Sequence, residues 1–245
     1  MVQQLPAQPL SAQLSNPSDI IYPDSDGQPV TGNTHQVQWR VTIKENLALL
    51  FKEDDNVFVA GNLRWYPVKG NNELCQDPDA LVAFGRPGGY RSSYQQWKEA
   101  NIAPQIVFEV LSSSSRRMEM ARKLEFYNKY GVEEYYEYDP YRIELVGWAR
   151  SSKSGLLEVL NCETTEEREI WVSPRLNIRL VIKPDNLEIY DPNGDRFLTF
   201  TELSERLETA NQPLEAEGQP LNDIQAEKER LAAKLRGMGI DPSKL

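Results

Sequence analysis

The sequence predicts a mixed α/β protein in which helices flank one mixed β-sheet. The first observation is a pair of short apolar runs, Asp79–Phe84 and Gln105–Leu111, each bounded by Pro, Gly or Ser as buried strands are. The second is a helical segment from about Arg116 to Tyr130, which Gly131 ends before β character returns over 132–139. A strand–helix–strand unit with β-rich segments on both sides is typical of a mixed-sheet α/β fold.

Three segments precede this central unit. Residues 1–30 are rich in Pro, Gln, Ser and Asp and lack an apolar period, so they are predicted to form a flexible extension. Residues 35–51 carry spaced apolar side chains without Gly or Pro, which predicts a helix. The β-rich runs at 57–60 and 63–68 are separated by Gly61-Asn62, which predicts a hairpin.

The segments after the central unit are shorter. Strands are predicted at 143–148, 156–160, 178–182 and 187–190, and from Thr199 onward the sequence becomes charged and helical. We therefore expect a domain over residues 31–200 and a helical C-terminal tail over residues 201–245.

The tail carries a heptad-like apolar stripe. Its members are Leu221, Ile224, Leu231, Leu235 and Met238, with Lys228 in the one remaining position. The stripe covers about two and a half heptads, fewer than the roughly three to four that indicate a coiled coil. One exposed amphipathic helix is therefore favoured over a dimerising helix.

Composition excludes several classes of protein. The 245 residues carry a net charge of −10, which argues against a non-specific nucleic-acid coat. No apolar run approaches the roughly 20 residues of a membrane-spanning helix, and the start of the chain lacks the pattern of a secretory signal. Two cysteines and one histidine are too few for a disulfide framework or a thiolate zinc site, so a reducing, cytoplasmic location is expected. Catalysis should then use carboxylates, lysine and an oxygen-bound metal.

Three residues could carry such chemistry. Asp79 follows Pro78 at the start of a predicted strand. Glu109 lies in mid-strand among β-branched and aromatic neighbours, where burial is costly unless a cation or hydrogen-bond donors meet it. Lys123 lies on the shoulder of the apolar stripe of the next helix. Plainer interpretations stay open: Glu109 could face water on an edge strand, and Lys123 could form a surface ion pair with Glu119.

Taken together, the three residues predict metal-assisted hydrolysis. Mg²⁺ prefers hard oxygen ligands and takes one or two carboxylates from the protein. A lysine beside such a site can orient or activate water for attack on a phosphodiester, which makes phosphodiesters the natural substrate. The spacing alone is not specific, because Asp, Glu and Lys occur at such spacings in most proteins.

Longer motifs narrow the interpretation. Residues 58–150 contain VAGNLRWYPV, Pro78-Asp79, GRPGGYRSSYQQWKEANIAPQIVFEVLS and MARKLEFYNKYGVEEYYEYDP. This stretch resembles the Uma-two (Uma2) family of restriction-endonuclease-like proteins, a branch of the PD-(D/E)XK nuclease superfamily. Weaker similarities continue through WVSPRLNIRL, RFLTFTEL and RLAAKLRGMGIDPSKL. The resemblance implies a restriction-endonuclease-like mixed β-sheet core flanked by helices.

The resemblance also assigns roles to individual residues. Asp79 is implied as the motif aspartate and Glu109 as the second acidic ligand of Mg²⁺ or Mn²⁺, with the main-chain carbonyl of Val110 as a third ligand. Leu111 stands two residues after Glu109, where the motif lysine usually lies. Lys123 matches the branch in which the lysine has moved to the following helix. The implied catalytic residues are therefore Asp79, Glu109 and Lys123.

Arg116, Arg117 and Arg122 are the candidate nucleic-acid contacts, because they belong to a basic patch in the nearly neutral middle of the chain. Arg116 and Arg117 also lie at the predicted helix start, where basic residues oppose the helix dipole and suit phosphate binding. The implied function is a Mg²⁺-dependent endonuclease that hydrolyses DNA. The alternatives are a catalytically silent nuclease fold that binds nucleic acid or protein, and an interaction protein that works through its terminal helix.

We expect a homodimer with its interface in the α/β domain, because cutting both strands of a duplex needs two active sites.

Overall fold

The structure is a computed structural model, which describes residues 20–24, 33–112, 117–152, 155–211 and 221–244. Most of the predicted N-terminal extension lies outside the described residues, and so does Arg116, one of the predicted nucleic-acid contacts.

A six-stranded mixed sheet forms the centre of the fold. In spatial order its strands are β1 (Val57–Ala60), β3 (Ala80–Phe84), β5 (Ile106–Val110), β6 (Glu134–Asp139), β7 (Glu144–Ala149) and β8 (Glu158–Val159), numbered along the chain. β5 and β6 pair in parallel, and the other neighbours pair antiparallel. The predicted mixed-sheet α/β fold is therefore confirmed.

One helix lies on each face of this sheet. α1 (Thr34–Leu50) begins after Asn33, whose side-chain oxygen accepts a hydrogen bond from the backbone N–H of Gln36 at 3.1 Å. α2 (Arg117–Tyr130) ends at Gly131, which has a φ of +103° and takes the left-handed conformation that favours glycine.

Alternation along the strands divides the apolar core between the two helices. Ile43 and Leu47 of α1 pack with one set of strand residues, which includes Ala80, Val82, Ile106, Phe108 and Val110. Phe126 and Tyr127 of α2 pack with the intervening set, which includes Leu81, Ala83 and Val107. Asp79 and Glu109 follow the alternation of this second set, so they belong to the face that α2 covers.

A second, antiparallel sheet extends the core on the α1 side. Its strands are β9 (Glu163–Thr164), β10 (Glu169–Val172), β11 (Arg179–Ile182) and β12 (Leu187–Tyr190). Trp171, Leu180 and Ile189 project from it into the cluster that contains Ile43 and Leu47. The sequence predicted β11 and β12 but not β9 and β10.

The buried Glu134 joins the two sheets. Its Oε2 accepts hydrogen bonds from the hydroxyls of Tyr136 (2.7 Å) and Ser173 (2.5 Å), and its Oε1 accepts one from the backbone N–H of Arg175 (2.6 Å). Burial raises the pKa of Glu134, although these hydrogen bonds oppose the rise. The donors from Ser173 and Arg175 therefore hold β6 to the segment that follows β10.

The predicted hairpin across Gly61-Asn62 is wrong. β1 pairs with β3, whereas β2 (Trp65–Tyr66) pairs in parallel with β4 (Tyr94–Gln95) in a separate two-stranded sheet. A glycine is required at position 61 for a steric reason, because a Cβ there would lie 2.9 Å from the backbone oxygen of Asp79. The turn carries the chain past the start of β3 instead of back along β1.

The tail folds onto the rest of the chain. α3 (Phe200–Asn211) and α4 (Leu221–Gly237) pack through a cluster of leucines, which are Leu198, Leu203, Leu207, Leu231 and Leu235. A Cβ on Gly237 would clash with the side chain of Leu49, so α4 also lies close against the end of α1. The prediction of an exposed amphipathic helix is therefore wrong in part, because α3 covers the leucine face of α4.

The short described segment at 20–24 lies against β2 and β4. The hydroxyl of Tyr66 donates to the backbone oxygen of Pro23 at 2.6 Å. The ring of Tyr22 lies 5.2 Å from that of Tyr66 and 4.9 Å from that of Trp97, measured between centroids.

In the described part of the chain, no helix combines the length and the apolar character needed to cross a membrane. Within the described residues, neither Cys75 nor Cys162 forms a disulfide bond.

Candidate active site

Asp79 immediately precedes β3 and lies beside Glu109 of the neighbouring strand β5. β3 and β5 pair antiparallel with Ala80 opposite Phe108, so the next step of the register places Asp79 opposite Glu109. Directly opposed residues project from the same face, with Cβ atoms roughly 4.5–5.5 Å apart. The backbone N–H of Val110 donates to Asp79 Oδ2 at 2.7 Å, which holds the aspartate against the end of β5. Both carboxylates are buried, with exposed fractions of 5% for Asp79 and 4% for Glu109.

Two side chains of α2 contact Glu109. Lys123 Nζ lies 2.9 Å from Glu109 Oε2, and the hydroxyl of Tyr127 donates to Glu109 Oε1 at 2.5 Å. Residues four apart share one face of a helix, so a single turn of α2 covers both oxygen atoms. The structure therefore places Lys123 on the buried carboxylate, which goes beyond the plain surface pair with Glu119.

Two side chains of α1 reach the other side of the same site. Arg40 Nε lies 2.7 Å from Asp79 Oδ1 in an ion pair, although its N–H is not aligned for a hydrogen bond. The Gln36 amide Nε2 donates to the carbonyl oxygen of Val110 at 2.7 Å. That carbonyl, the predicted third metal ligand, thus has a protein partner in this structure.

The sequence contained a signal for Gln36 and Arg40 that our prediction missed. These residues precede Ile43 and Leu47 on one helical stripe, at intervals of four, three and four residues. Ile43 and Leu47 are buried core residues, so the polar pair occupies positions that also face the sheet. Polar residues on an otherwise buried stripe need partners in the interior, and such residues are candidates for a functional site.

The two carboxylates and two cations form a compact charged cluster. Burial and then the charge of Glu109 raise the pKa of Asp79 from 3.8 to about 7, although Arg40 opposes the rise. Burial lowers the pKa of Lys123, but the charges of Glu109 and Asp79 outweigh it and raise that pKa overall. Lys123 is therefore a cation at neutral pH, whereas Asp79 changes its charge near neutrality.

A third acid, Glu137, continues the row across the sheet. β5 and β6 pair in parallel with Glu109 opposite Glu137, so the two side chains share one face. The hydroxyl of Tyr135 donates to Glu137 Oε1 at 2.6 Å. Burial raises the pKa of Glu137, and the charge of Glu109 contributes to the rise. Glu137 does not stand out in the sequence, because β6 mixes three acids with three tyrosines.

Of the three predicted nucleic-acid contacts, the structure describes two. Arg117 and Arg122 are exposed on α2, the helix that also carries Lys123. The structure does not place Arg116, which is outside the described residues.

The carboxylate and carbonyl oxygen atoms of this site are the type of ligand that a divalent cation such as Mg²⁺ prefers. Among the described residues, no group of three or more His, Cys, Asp and Glu side chains is placed to hold a metal. The donors are therefore the carboxylates of Asp79 and Glu109 and the carbonyl of Val110, a set that Mg²⁺ can complete with water. Each carboxylate oxygen carries a single contact given above and keeps accepting capacity. The buried Gln36 Oε1 has no hydrogen-bond partner among the described residues, so one more oxygen beside Val110 is unsatisfied.

The fold and site together define a mixed-sheet α/β protein with a buried Asp–Glu pair at adjoining strands and a lysine delivered by the following helix. The sequence profile of the Uma2 family, described as "Putative restriction endonuclease", matches residues 8–180. This match spans more than half of the chain, so the chain belongs to the Uma2 family. The family resemblance inferred from the motifs is confirmed.

Among solved structures, the chain is similar to one described as a "putative nuclease belonging to DUF820" from Anabaena variabilis ATCC 29413. The two chains are 16% identical, the comparison covers 56% of this chain and 75% of the other, and the TM-score is 0.40. Comparison with curated proteins found no match.

Proposed function

We propose that this protein is a Mg²⁺-dependent endonuclease that hydrolyses phosphodiester bonds of DNA. The observation that carries the proposal is the convergence of three residues on one buried site. These are Asp79 immediately before β3, Glu109 in β5 and Lys123 in α2, with Lys123 Nζ 2.9 Å from Glu109 Oε2. The Uma2 family is described as restriction endonucleases, and membership of this family supports DNA as the substrate.

In this proposal Asp79, Glu109 and the Val110 carbonyl hold the cation. When bound, Mg²⁺ or Mn²⁺ would act as a Lewis acid that makes water a better nucleophile and stabilises charge on the phosphate. The protein contributes a preorganised set of oxygen atoms, because Val110 N–H fixes Asp79 and Tyr127 fixes Glu109.

Lys123 and Tyr127 have different tasks. The raised pKa of Lys123 keeps a positive charge beside Glu109, where it can hold an incoming nucleophile or bind the developing negative charge of the phosphate. Burial raises the pKa of Tyr127 well above 10, so its hydroxyl stays protonated and acts as a hydrogen-bond donor to Glu109. Tyr127 is thus a positioning residue, and Lys123 is the proposed catalytic cation.

The substrate contacts and the assembly belong to the same proposal. Arg116, Arg117 and Arg122 would bind DNA phosphates. The endonuclease would act in the cytoplasm as a homodimer, with the interface in the α/β domain, because two active sites are needed to cut both strands. Light scattering at micromolar concentration tests the dimer, and a monomeric mass for the full-length protein would reject it.

A cleavage assay tests the proposed activity. Wild-type protein with Mg²⁺ or Mn²⁺ should cut DNA, and Asp79→Asn should lose at least about a hundredfold in rate, the order expected when charge stabilisation is removed from an active site. Asp55→Asn is the matched control, since Asp55 is exposed in the loop before β1. Duplex DNA, single-stranded DNA and RNA should be compared. Binding of DNA without cleavage by the wild type would instead identify a catalytically silent binding module.

A further inference from the structure

The first helix contacts two of the oxygen atoms that the proposed function assigns to the metal. Arg40 Nε lies 2.7 Å from Asp79 Oδ1, and Gln36 Nε2 lies 2.7 Å from the Val110 oxygen. Gln36 and Arg40 are four residues apart, so one face of α1 delivers both contacts. Neither residue belongs to the Asp–Glu–Lys set that the family motifs identify.

Each of the two side chains carries one polar group without a hydrogen-bond partner among the described residues, which favours its displacement. Gln36 is 3% exposed, yet its Oε1 has no hydrogen-bond partner among the described residues. Leaving a buried amide oxygen unpaired costs free energy. The Arg40 N–H is close to Asp79 but poorly aligned, and the Arg40 side chain is 20% exposed, so it has a path towards solvent.

The charges explain what each contact achieves. Arg40 faces Asp79 and Lys123 faces Glu109, so each of the two proposed metal-binding carboxylates already has one cation beside it in the protein alone. A divalent cation at the same carboxylates would leave an excess of positive charge in a largely buried site. Such an excess is strongly unfavourable unless an anion enters with the cation. A phosphodiester is an anion of this kind, and a guanidinium binds phosphate with two parallel hydrogen bonds.

We propose that Gln36 and Arg40 are the groups that a divalent cation must displace from Val110 and Asp79, and that Arg40, once released from Asp79, binds the phosphodiester. α1 thereby couples metal binding to substrate binding: the site takes up the cation weakly alone and more tightly when a phosphodiester is present. This inference rests on the proposed metal-dependent function and adds to it a residue that links the cation to the substrate.

The test measures Mn²⁺ affinity by titration calorimetry in the absence of nucleic acid, with no need for turnover. Arg40→Gln removes the competing charge and should bind Mn²⁺ about tenfold more tightly than wild type, a typical size for coupling between two ligands. Arg40→Lys retains the charge and should stay within about threefold of wild type. Gln36→Leu should also tighten Mn²⁺ binding, because it frees the carbonyl of Val110. This second variant tests the inference if Arg40→Gln does not fold.

A second titration, in the presence of dimethyl phosphate, tests the coupling. This hydrolytically inert phosphodiester should tighten Mn²⁺ binding to wild type and to Arg40→Lys but not to Arg40→Gln. By linkage, Mn²⁺ should tighten dimethyl phosphate binding by the same factor.

The outcomes separate this inference from the proposed function. If wild type binds Mn²⁺ and Asp79→Asn does not, but Arg40→Gln and Gln36→Leu bind no more tightly than wild type, α1 is only a structural support and the inference is overturned alone. If wild type does not bind Mn²⁺, or binds it equally well after Asp79→Asn, both the proposed metal site and this inference are overturned.

Discussion

Lys123 Nζ lies 2.9 Å from Glu109 Oε2, so the helix that follows β5 supplies the cation that faces the strand carboxylate. The residue two positions after Glu109 is Leu111, which carries no charge. A lysine in the second turn of α2 can therefore occupy the site that a strand lysine would otherwise reach. The connection between β5 and α2 determines where the ammonium group of Lys123 lies, whereas the carboxylate of Glu109 is on the strand itself.

Replacing Lys123 with methionine should affect both stability and cleavage. The substitution removes the cation from a carboxylate that is 4% exposed. We expect a loss of about 2–4 kcal/mol in the free energy of unfolding, because breaking a buried ion pair strands the remaining charge. Cleavage should be abolished at a temperature where the variant is still folded. Urea unfolding and a nuclease assay measure the two effects, with Lys129→Met as the exposed control on the same helix. Full activity in folded Lys123→Met would remove Lys123 from the proposed catalytic set.

Tyr127→Phe tests whether Tyr127 acts by positioning Glu109. The hydroxyl donates to Glu109 Oε1 at 2.5 Å, and its loss leaves that buried oxygen without this donor. We expect the free energy of unfolding to fall by about 1–3 kcal/mol. Mn²⁺ affinity should fall as well, because Glu109 loses one of the contacts that hold it in place. Tyr141→Phe, on an exposed tyrosine, should change neither quantity. A drop in stability with unchanged Mn²⁺ affinity would mean that Tyr127 supports only the core.

The raised pKa of Asp79 predicts a pH dependence of stability. The pKa of Asp79 is about 7 in the folded protein, whereas in the unfolded chain it has its ordinary value of 3.8. The folded protein therefore binds this proton more tightly than the unfolded chain does. The stability that Asp79 contributes is therefore complete below about pH 4 and is lost as the pH rises to about 7. In EDTA, wild type should lose stability relative to Asp79→Asn across this range. Urea unfolding at several pH values measures the difference, and a difference that is constant with pH would contradict the raised pKa.

Metal binding should show the opposite dependence on pH. A cation needs the ionised carboxylate of Asp79, so Mn²⁺ affinity should increase as the pH rises towards about 7 and level off above it. Calorimetric titrations between pH 6 and 8 would measure this trend. A Mn²⁺ affinity independent of pH would mean that Asp79 is ionised throughout or does not bind the metal.

Glu134→Gln should loosen the junction between the two sheets. Glu134 accepts hydrogen bonds from Tyr136, Ser173 and the Arg175 N–H, and the amide group of glutamine would set a donor against one of them. We expect a loss of about 1–3 kcal/mol in the free energy of unfolding. Glu144→Gln, on an exposed position of β7, is the control. Equal stability of the two variants would show that Glu134 does not hold the sheets together.

The sequence predicted those parts of the fold that depend on local pattern. The apolar runs of β3 and β5 and the stop at Gly131 are encoded over a few residues, and all were found in place. The hairpin at Gly61-Asn62 was wrong because a turn signal does not say which strand the chain will pair with. β10 was missed because its four residues follow a run of acids and carry little pattern by themselves.

Part of the geometry of the candidate site could also be expected from the sequence. Glu109 stood out because a carboxylate among apolar strand residues is costly to bury alone. Arg40 and Gln36 did not stand out, because their partners Asp79 and Val110 are distant in sequence and are brought near only when α1 packs on the sheet. The polar stripe of α1 indicates that Gln36 and Arg40 face the interior, but it does not identify these partners, because the contacts depend on tertiary packing.

Anomalous diffraction from crystals grown with Mn²⁺ tests the proposed site most directly. We predict a peak within coordination distance of carboxylate oxygen atoms of both Asp79 and Glu109, accompanied by withdrawal of Arg40 from Asp79. The peak should be absent from crystals of Asp79→Asn. A Mn²⁺ ion bound elsewhere, or no ion between these carboxylates at saturating Mn²⁺, would contradict the assignment of Asp79 and Glu109 as the metal ligands of a nuclease.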